Sequence, residues 1–64
     1  MNIKKLAEYL YRELMNGNVE ISLEFKDLLR EIRIFKTLNS NERIEYFEKS
    51  PILRALALSI YEGD

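Results

Sequence analysis

Few side chains in this sequence are suited to acid–base or nucleophilic chemistry. Histidine and cysteine are both absent, which removes the usual near-neutral general base, the thiolate nucleophile and the commonest zinc and copper ligands. Carboxylates and lysines are the acid–base groups that remain. Carboxylate neighbours such as Glu45 and Glu48 lie on a predicted exposed helix, which provides no cleft for a substrate. We therefore expect no catalytic residues and a protein that is not an enzyme.

The sequence also contains no pattern that predicts a cofactor or a metal site. Gly17 and Gly63 are too isolated to form a glycine-rich phosphate loop, and the acidic residues do not follow the spacing of a calcium loop. Aromatic residues of the kind present here are more typical of the edges of a small core than of a ligand site: Tyr9, Tyr11, Tyr46 and Tyr61. We expect no cofactor, no metal and no small-molecule ligand.

One group of cations could bind phosphates. Lys26, Arg30 and Arg33 recur at three- and four-residue steps and would form a basic stripe on one face of a helix. Such a stripe could contact about three phosphates, and an accessory nucleic-acid-binding protein is therefore an alternative hypothesis. The net charge of −1 opposes it, as does an acidic stripe on another side of the same segment, formed by Glu20, Glu24, Asp27 and Glu31.

The length of 64 residues allows one small domain, spanning 1–64, and makes its stability a difficulty. A 60-residue domain buries only about 60% of the surface that its unfolded chain exposes, and without cysteine no disulfide compensates. A second subunit would relieve this deficit.

The longest charge-free run, Ala55–Tyr61, is too short to cross a bilayer, and the expected location is the cytoplasm. Nine glutamates with no glutamine favour a thermophilic source, whereas five asparagines argue against one.

Apolar periodicity and capping residues predict an all-α fold, a compact bundle of about four helices. The first begins at Asn2 and ends at Gly17. Asn39 and Glu42 have the spacing of a capping box, and Ser50-Pro51 both ends the third helix and begins the fourth. The predicted ranges are about 3–16, 20–38, 41–49 and 51–61, and a second copy would complete the bundle if one chain cannot.

Residues 19–25 permit two interpretations. Val19, Ile21, Leu23 and Phe25 alternate with polar residues, as in a strand, but the helical period begins at Phe25. A single strand would have no pairing partner except in a second copy. We therefore favour a helix here, with Ser22 as its cap or with Asn18 as the cap of a longer helix.

The last helix is apolar around nearly its whole circumference, interrupted only by Arg54 and Ser59. Such a helix must be buried on every side, either at the centre of one chain or at an interface. The leading hypothesis is a small helical interaction protein that self-associates as a two-fold dimer or binds another protein, with Lys26, Arg30 and Arg33 as orienting charges. The predicted contact residues are Ile34, Leu38, Leu53, Leu56, Ile60 and Tyr61.

Overall fold

Four α-helices follow one another along residues 2–61, the part of the chain that the computed structural model describes. They are α1 (Ile3–Met15), α2 (Lys26–Thr37), α3 (Ser40–Lys49) and α4 (Pro51–Ile60). Each helix packs against the other three, and the bundle measures 30 × 25 × 21 Å. The prediction of an all-α bundle of about four helices is confirmed. Within the described residues, no helix combines the length and apolar character needed to cross a membrane.

Helix α1 begins and ends as its flanking residues predict. The Asn2 side chain accepts hydrogen bonds from the Lys4 and Lys5 amides at 2.8 and 3.3 Å. At the other end, Gly17 adopts a positive φ of 72°, a conformation that glycine takes without steric cost. The Gly17 amide donates to the Leu14 carbonyl, and the Asn18 amide donates to the Glu13 carbonyl. This double closure is a Schellman motif.

The segment between α1 and α2 corrects the prediction that a helix begins near residue 20. Residues 18–25 are not helical, and α2 starts at Lys26. The Ser22 hydroxyl accepts from the Glu24 amide at 3.3 Å, and the Ser22 carbonyl accepts from the Phe25 amide at 3.1 Å. Ser22 therefore stabilises a turn, as serine often does in competition with a helix, and does not cap a helix. Within residues 2–61 this segment forms no strand either.

The caps of α3 and α4 confirm the predictions made from their spacing. Asn39 and Glu42 form a reciprocal capping box, with hydrogen bonds of 3.0 and 3.3 Å. The Ser50 hydroxyl accepts from the Leu53 amide at 3.2 Å, and Pro51 occupies the first helical position. Ser50 is therefore the single residue between α3 and α4, and it caps the end of one helix and the start of the other.

The core comprises few residues. Two rings lie at its centre, Phe35 and Phe47, with centroids 6.0 Å apart, and Tyr11 meets Phe35 edge-on at 6.2 Å. Among the described residues, eight hydrophobic side chains are buried: Leu6, Ala7, Leu10, Ile32, Phe35, Phe47, Leu53 and Ala57. Two of these eight are alanines, so the fully buried core is small, and nine partly buried hydrophobic residues pack around it.

Ser50→Ala should lower the free energy of unfolding by about 1–2 kcal/mol. The buried Ser50 hydroxyl accepts from Leu53 and donates to a Glu31 carboxylate oxygen at 3.1 Å, and alanine makes neither bond. Urea denaturation followed by circular dichroism measures the change. The matched control is Ser59→Ala, whose exposed hydroxyl bonds only the Leu56 carbonyl among the described groups and whose loss should cost under about 0.5 kcal/mol. Equal effects for the two variants would contradict the assigned role.

Candidate functional site: the solvent side of α4

One side of α4 is exposed and carries no charge. Leu53 and Ala57 point into the core and are fully buried. Since successive residues turn by 100°, the opposite side of the helix is centred on Ala55. We call this side the α4 outer face; its residues are Pro51, Ile52, Ala55, Leu58 and Ser59, all exposed.

The single charged side chain of α4 is held away from the outer face. Arg54 is half-buried, and its guanidinium donates a hydrogen bond to the Glu48 carbonyl near the end of α3. A cation in this position satisfies a carbonyl that the helix itself leaves unpaired, and it also interacts favourably with the negative end of the α3 dipole. The outer face is therefore left with four apolar residues and one hydroxyl.

A groove of about 580 Å³ runs beside the outer face, between α4 and the start of α2. Its α4 wall includes Ile52, Ala55 and Leu56, and its other wall includes Phe25 and Leu28. Charged residues occupy the rim at the α2 end: Glu24, Lys26 and Asp27. We call this the α2–α4 groove. An apolar floor with a polar rim is the anatomy of a protein interface.

The structure separates the six predicted contact residues into three groups. Leu53 lies in the core of the single chain, so its place in the predicted interface is corrected. Leu56 lines the α2–α4 groove, while Ile60 and Tyr61 are half-buried beyond it. Tyr61 packs edge-on against Tyr9 with centroids 5.1 Å apart.

Of the other two predicted contact residues, Ile34 is on α2 and Leu38 directly follows it, and neither lines the α2–α4 groove. Ile34 is 37% exposed, and Leu38 is half-buried beside Glu42 and Tyr46 in a separate depression. The structure therefore does not bring them together with α4. The residues that the sequence reasoning missed are Ile52, Ala55, Leu58 and Phe25. Finding them requires knowledge of which side of an apolar helix faces inward, and α4 has no polar stripe to mark its outer side.

The sequence predicted that α4 is buried on every side, either at the centre of one chain or at an interface, and the structure tests the first of these predictions. The reading in which the other helices enclose it is wrong, because Ile52 and Leu58 remain 41% and 53% exposed in one chain. This outcome has a geometric reason. Three neighbouring helices of 10 to 13 residues pack on one side of α4 and do not reach around it.

The basic stripe lies on the exposed side of α2. Lys26, Arg30 and Arg33 are all exposed, but Arg30 is paired with Asp27 at 3.4 Å, which offsets part of its charge. Lys26 belongs to the rim of the α2–α4 groove, whereas Arg33 lines a different depression together with Lys36. The nucleic-acid hypothesis remains a prediction, supported by two cations free of ion pairs among the described residues.

A buried arginine is the polar feature that the sequence did not reveal. Arg43 is 7% exposed, and its guanidinium lies over the Tyr11 ring, 3.6 Å from the centroid. It donates to the Leu38 carbonyl at 2.7 Å, and its Nε lies 3.5 Å from Glu8 Oε1. This last separation is an ion pair without hydrogen-bond geometry. Glu8 lies one turn from Lys4 and Arg12 along α1, but its ion pair is with Arg43 across the bundle.

A second polar cluster joins α2, α3 and the start of α4. The Glu31 carboxylate accepts from Ser50 and interacts with Tyr46. Desolvation raises the pKa of the Tyr46 hydroxyl above its ordinary value, and the hydrogen bond to Glu31 and its charge act in the same direction. Tyr46 is therefore a neutral donor near pH 7. Both clusters contribute to packing between helices.

Comparison with known proteins gives no assignment for this chain. Among the described residues, no three carboxylates come together as a metal-binding group would require. No protein-family model, no curated protein and no solved structure matches the sequence or the fold.

Proposed function

We propose that this chain is a non-enzymatic, cytoplasmic protein–protein interaction module that self-associates through the α4 outer face. The observation that carries the proposal is an uncharged helical side that one chain leaves in water. Contiguous exposed apolar surface of this kind marks interaction sites in soluble proteins. The small core supports the same conclusion, because burying Ile52 and Leu58 against a partner would add apolar burial that a single chain lacks.

The charge distribution favours another protein surface as the partner. The outer face offers no cation for a phosphate and no cluster of basic residues for an anionic membrane. Two uncharged faces can meet without repulsion or the desolvation of charges. A second copy of the chain supplies such a face, and two-fold pairing of identical surfaces is the commonest form of oligomer.

Leu58→Lys should convert the self-associated protein to a monomer. A lysine on the outer face would place an ammonium group in an apolar contact, and the desolvation of an unpaired charge is costly. Sedimentation equilibrium at micromolar concentration measures the mass of the native chain and of the variant against the 7.7 kDa of one chain.

The matched control is Met15→Lys, which introduces the same charge on α1. Met15 is 54% exposed and Leu58 is 53% exposed, so the two changes perturb a single chain similarly. Met15→Lys should retain the native mass. A native chain that is monomeric at micromolar concentration would refute self-association, and equal dissociation by the two variants would refute the role of the outer face.

A further inference from the structure

We infer that the two copies pair through α4 and its symmetry mate, antiparallel and crossing at Ala55. This inference rests on the proposed self-association and adds its geometry. The outer face is centred on Ala55, and Ala55 has the smallest side chain on that face. Helix axes approach to about 8 Å where the contact residues are small. The two-fold axis would therefore pass beside this residue.

The sizes of the residues on either side of Ala55 fit an antiparallel pair. Ile52 lies three residues before Ala55 and Ser59 lies four residues after it, on the same edge of the outer face. In an antiparallel pair centred on Ala55, Ile52 meets Ser59 of the partner subunit, so that a large side chain opposes a small one. Close packing needs such alternation between facing positions. The two helix dipoles also oppose each other in this arrangement.

The α2–α4 groove enlarges the contact on that edge. It lies beside Ile52, Ala55 and Ser59, and its far wall is formed by Phe25 and Leu28. Phe25 is 60% exposed, and it would cover the flank of the partner's α4. A stable interface buries about 800 Å² on each partner, and the total surface is 4642 Å². An interface of that size would take about a sixth of the surface of one chain.

The native chain has no cysteine, so single introduced cysteines test this geometry directly. Ala55→Cys places two thiols beside the two-fold axis, within the Cα separation of about 7 Å that a disulfide tolerates. Ser59→Cys places the two equivalent Cα atoms about 12 Å apart along the antiparallel helices, given a rise of 1.5 Å per residue over twice four residues. Mild air oxidation at micromolar concentration, followed by non-reducing electrophoresis, gives the extent of cross-linking, and sedimentation of the reduced variants gives their mass.

We expect most of the Ala55→Cys protein to form a covalent dimer, and the Ser59→Cys protein to do so at least about tenfold more slowly. A mixture of Ile52→Cys and Ser59→Cys chains should form the mixed disulfide. Rapid cross-linking of both Ala55→Cys and Ser59→Cys would indicate a parallel pair and overturn the inference. A reduced dimer that Ala55→Cys does not cross-link would overturn it while leaving the proposed function intact. A reduced monomer would refute both.

Discussion

Replacing Phe47 with alanine is expected to lower the free energy of unfolding by about 3–5 kcal/mol. Phe47 is fully buried and packs against Phe35 at the centre of the core. A chain of this size has a total stability of only about 3–10 kcal/mol, so the loss removes at least about 30% of it. Phe35 is the other ring among the eight buried hydrophobic residues, and it could fill the space only by leaving a second cavity. Chemical denaturation followed by circular dichroism measures the effect.

Phe25→Ala is the control for this change, since it removes the same atoms from an exposed position directly before α2. It should cost under about 0.5 kcal/mol in a single chain. Both variants are measured at the lowest protein concentration that the signal permits, because Phe25 lines the α2–α4 groove and self-association would add to its effect. A loss from Phe25→Ala as large as that from Phe47→Ala would show that the core is misassigned.

The ends of the helices could be predicted because local chemistry determines them. Asn2, the pair Asn39 and Glu42, and Ser50 with Pro51 each act within four residues along the chain. A capping side chain satisfies an amide that the helix leaves unpaired, whatever the rest of the fold is. The same local reasoning failed at Ser22. Its hydroxyl can cap a helix or close a turn, and here it closes a turn while Ile21, six residues after the end of α1, packs against the core.

The orientation of α4 could not be predicted because its sequence contains no contrast. In an amphipathic helix the polar side shows that the opposite side faces the core. Helix α4 has a charged residue only at Arg54. The structure shows that Leu53 and Ala57 lie inward and that Ala55 lies outward. That choice is made by the lengths and positions of the three other helices. One chain covers the apolar circumference on the inner side alone, so burial of the outer side by a partner stays a prediction.

Arg43 was missed for a related reason. A charged residue on a helix is normally exposed, and the partners that make its burial tolerable come from α1, 32 and 35 residues earlier in the chain. Tyr11 supplies an aromatic face, and Glu8 supplies the opposite charge. The prediction that the tyrosines close the edges of the core is confirmed for Tyr11, Tyr46 and Tyr61, which are half-buried and pack against it, whereas Tyr9 packs on Tyr61. What could not be read from the sequence is that one of them also covers a cation.

Arg43→Met is expected to lower the free energy of unfolding by about 2–4 kcal/mol, although methionine preserves most of the length and apolar volume of the side chain. The change removes the charge-assisted hydrogen bond to the Leu38 carbonyl, the contact with the Tyr11 ring and the ion pair with Glu8. It also leaves the buried Glu8 Oε1 without a cation. The control is Arg33→Met on the exposed side of α2, which should change stability by under about 0.5 kcal/mol.

The double variant Glu8→Met with Arg43→Met distinguishes the sources of that loss. If most of it comes from leaving a carboxylate oxygen buried without its cation, removing both charges should restore at least about half of the stability, because replacing a whole buried pair by apolar residues is often neutral. If the double variant is instead as unstable as the sum of the two single variants, the ion pair contributes little. Arg43 would then stabilise the bundle through Tyr11 and the Leu38 carbonyl. A weak ion pair would agree with the 3.5 Å separation of Arg43 Nε and Glu8 Oε1. A thermodynamic cycle from urea denaturation of the four proteins gives the coupling energy.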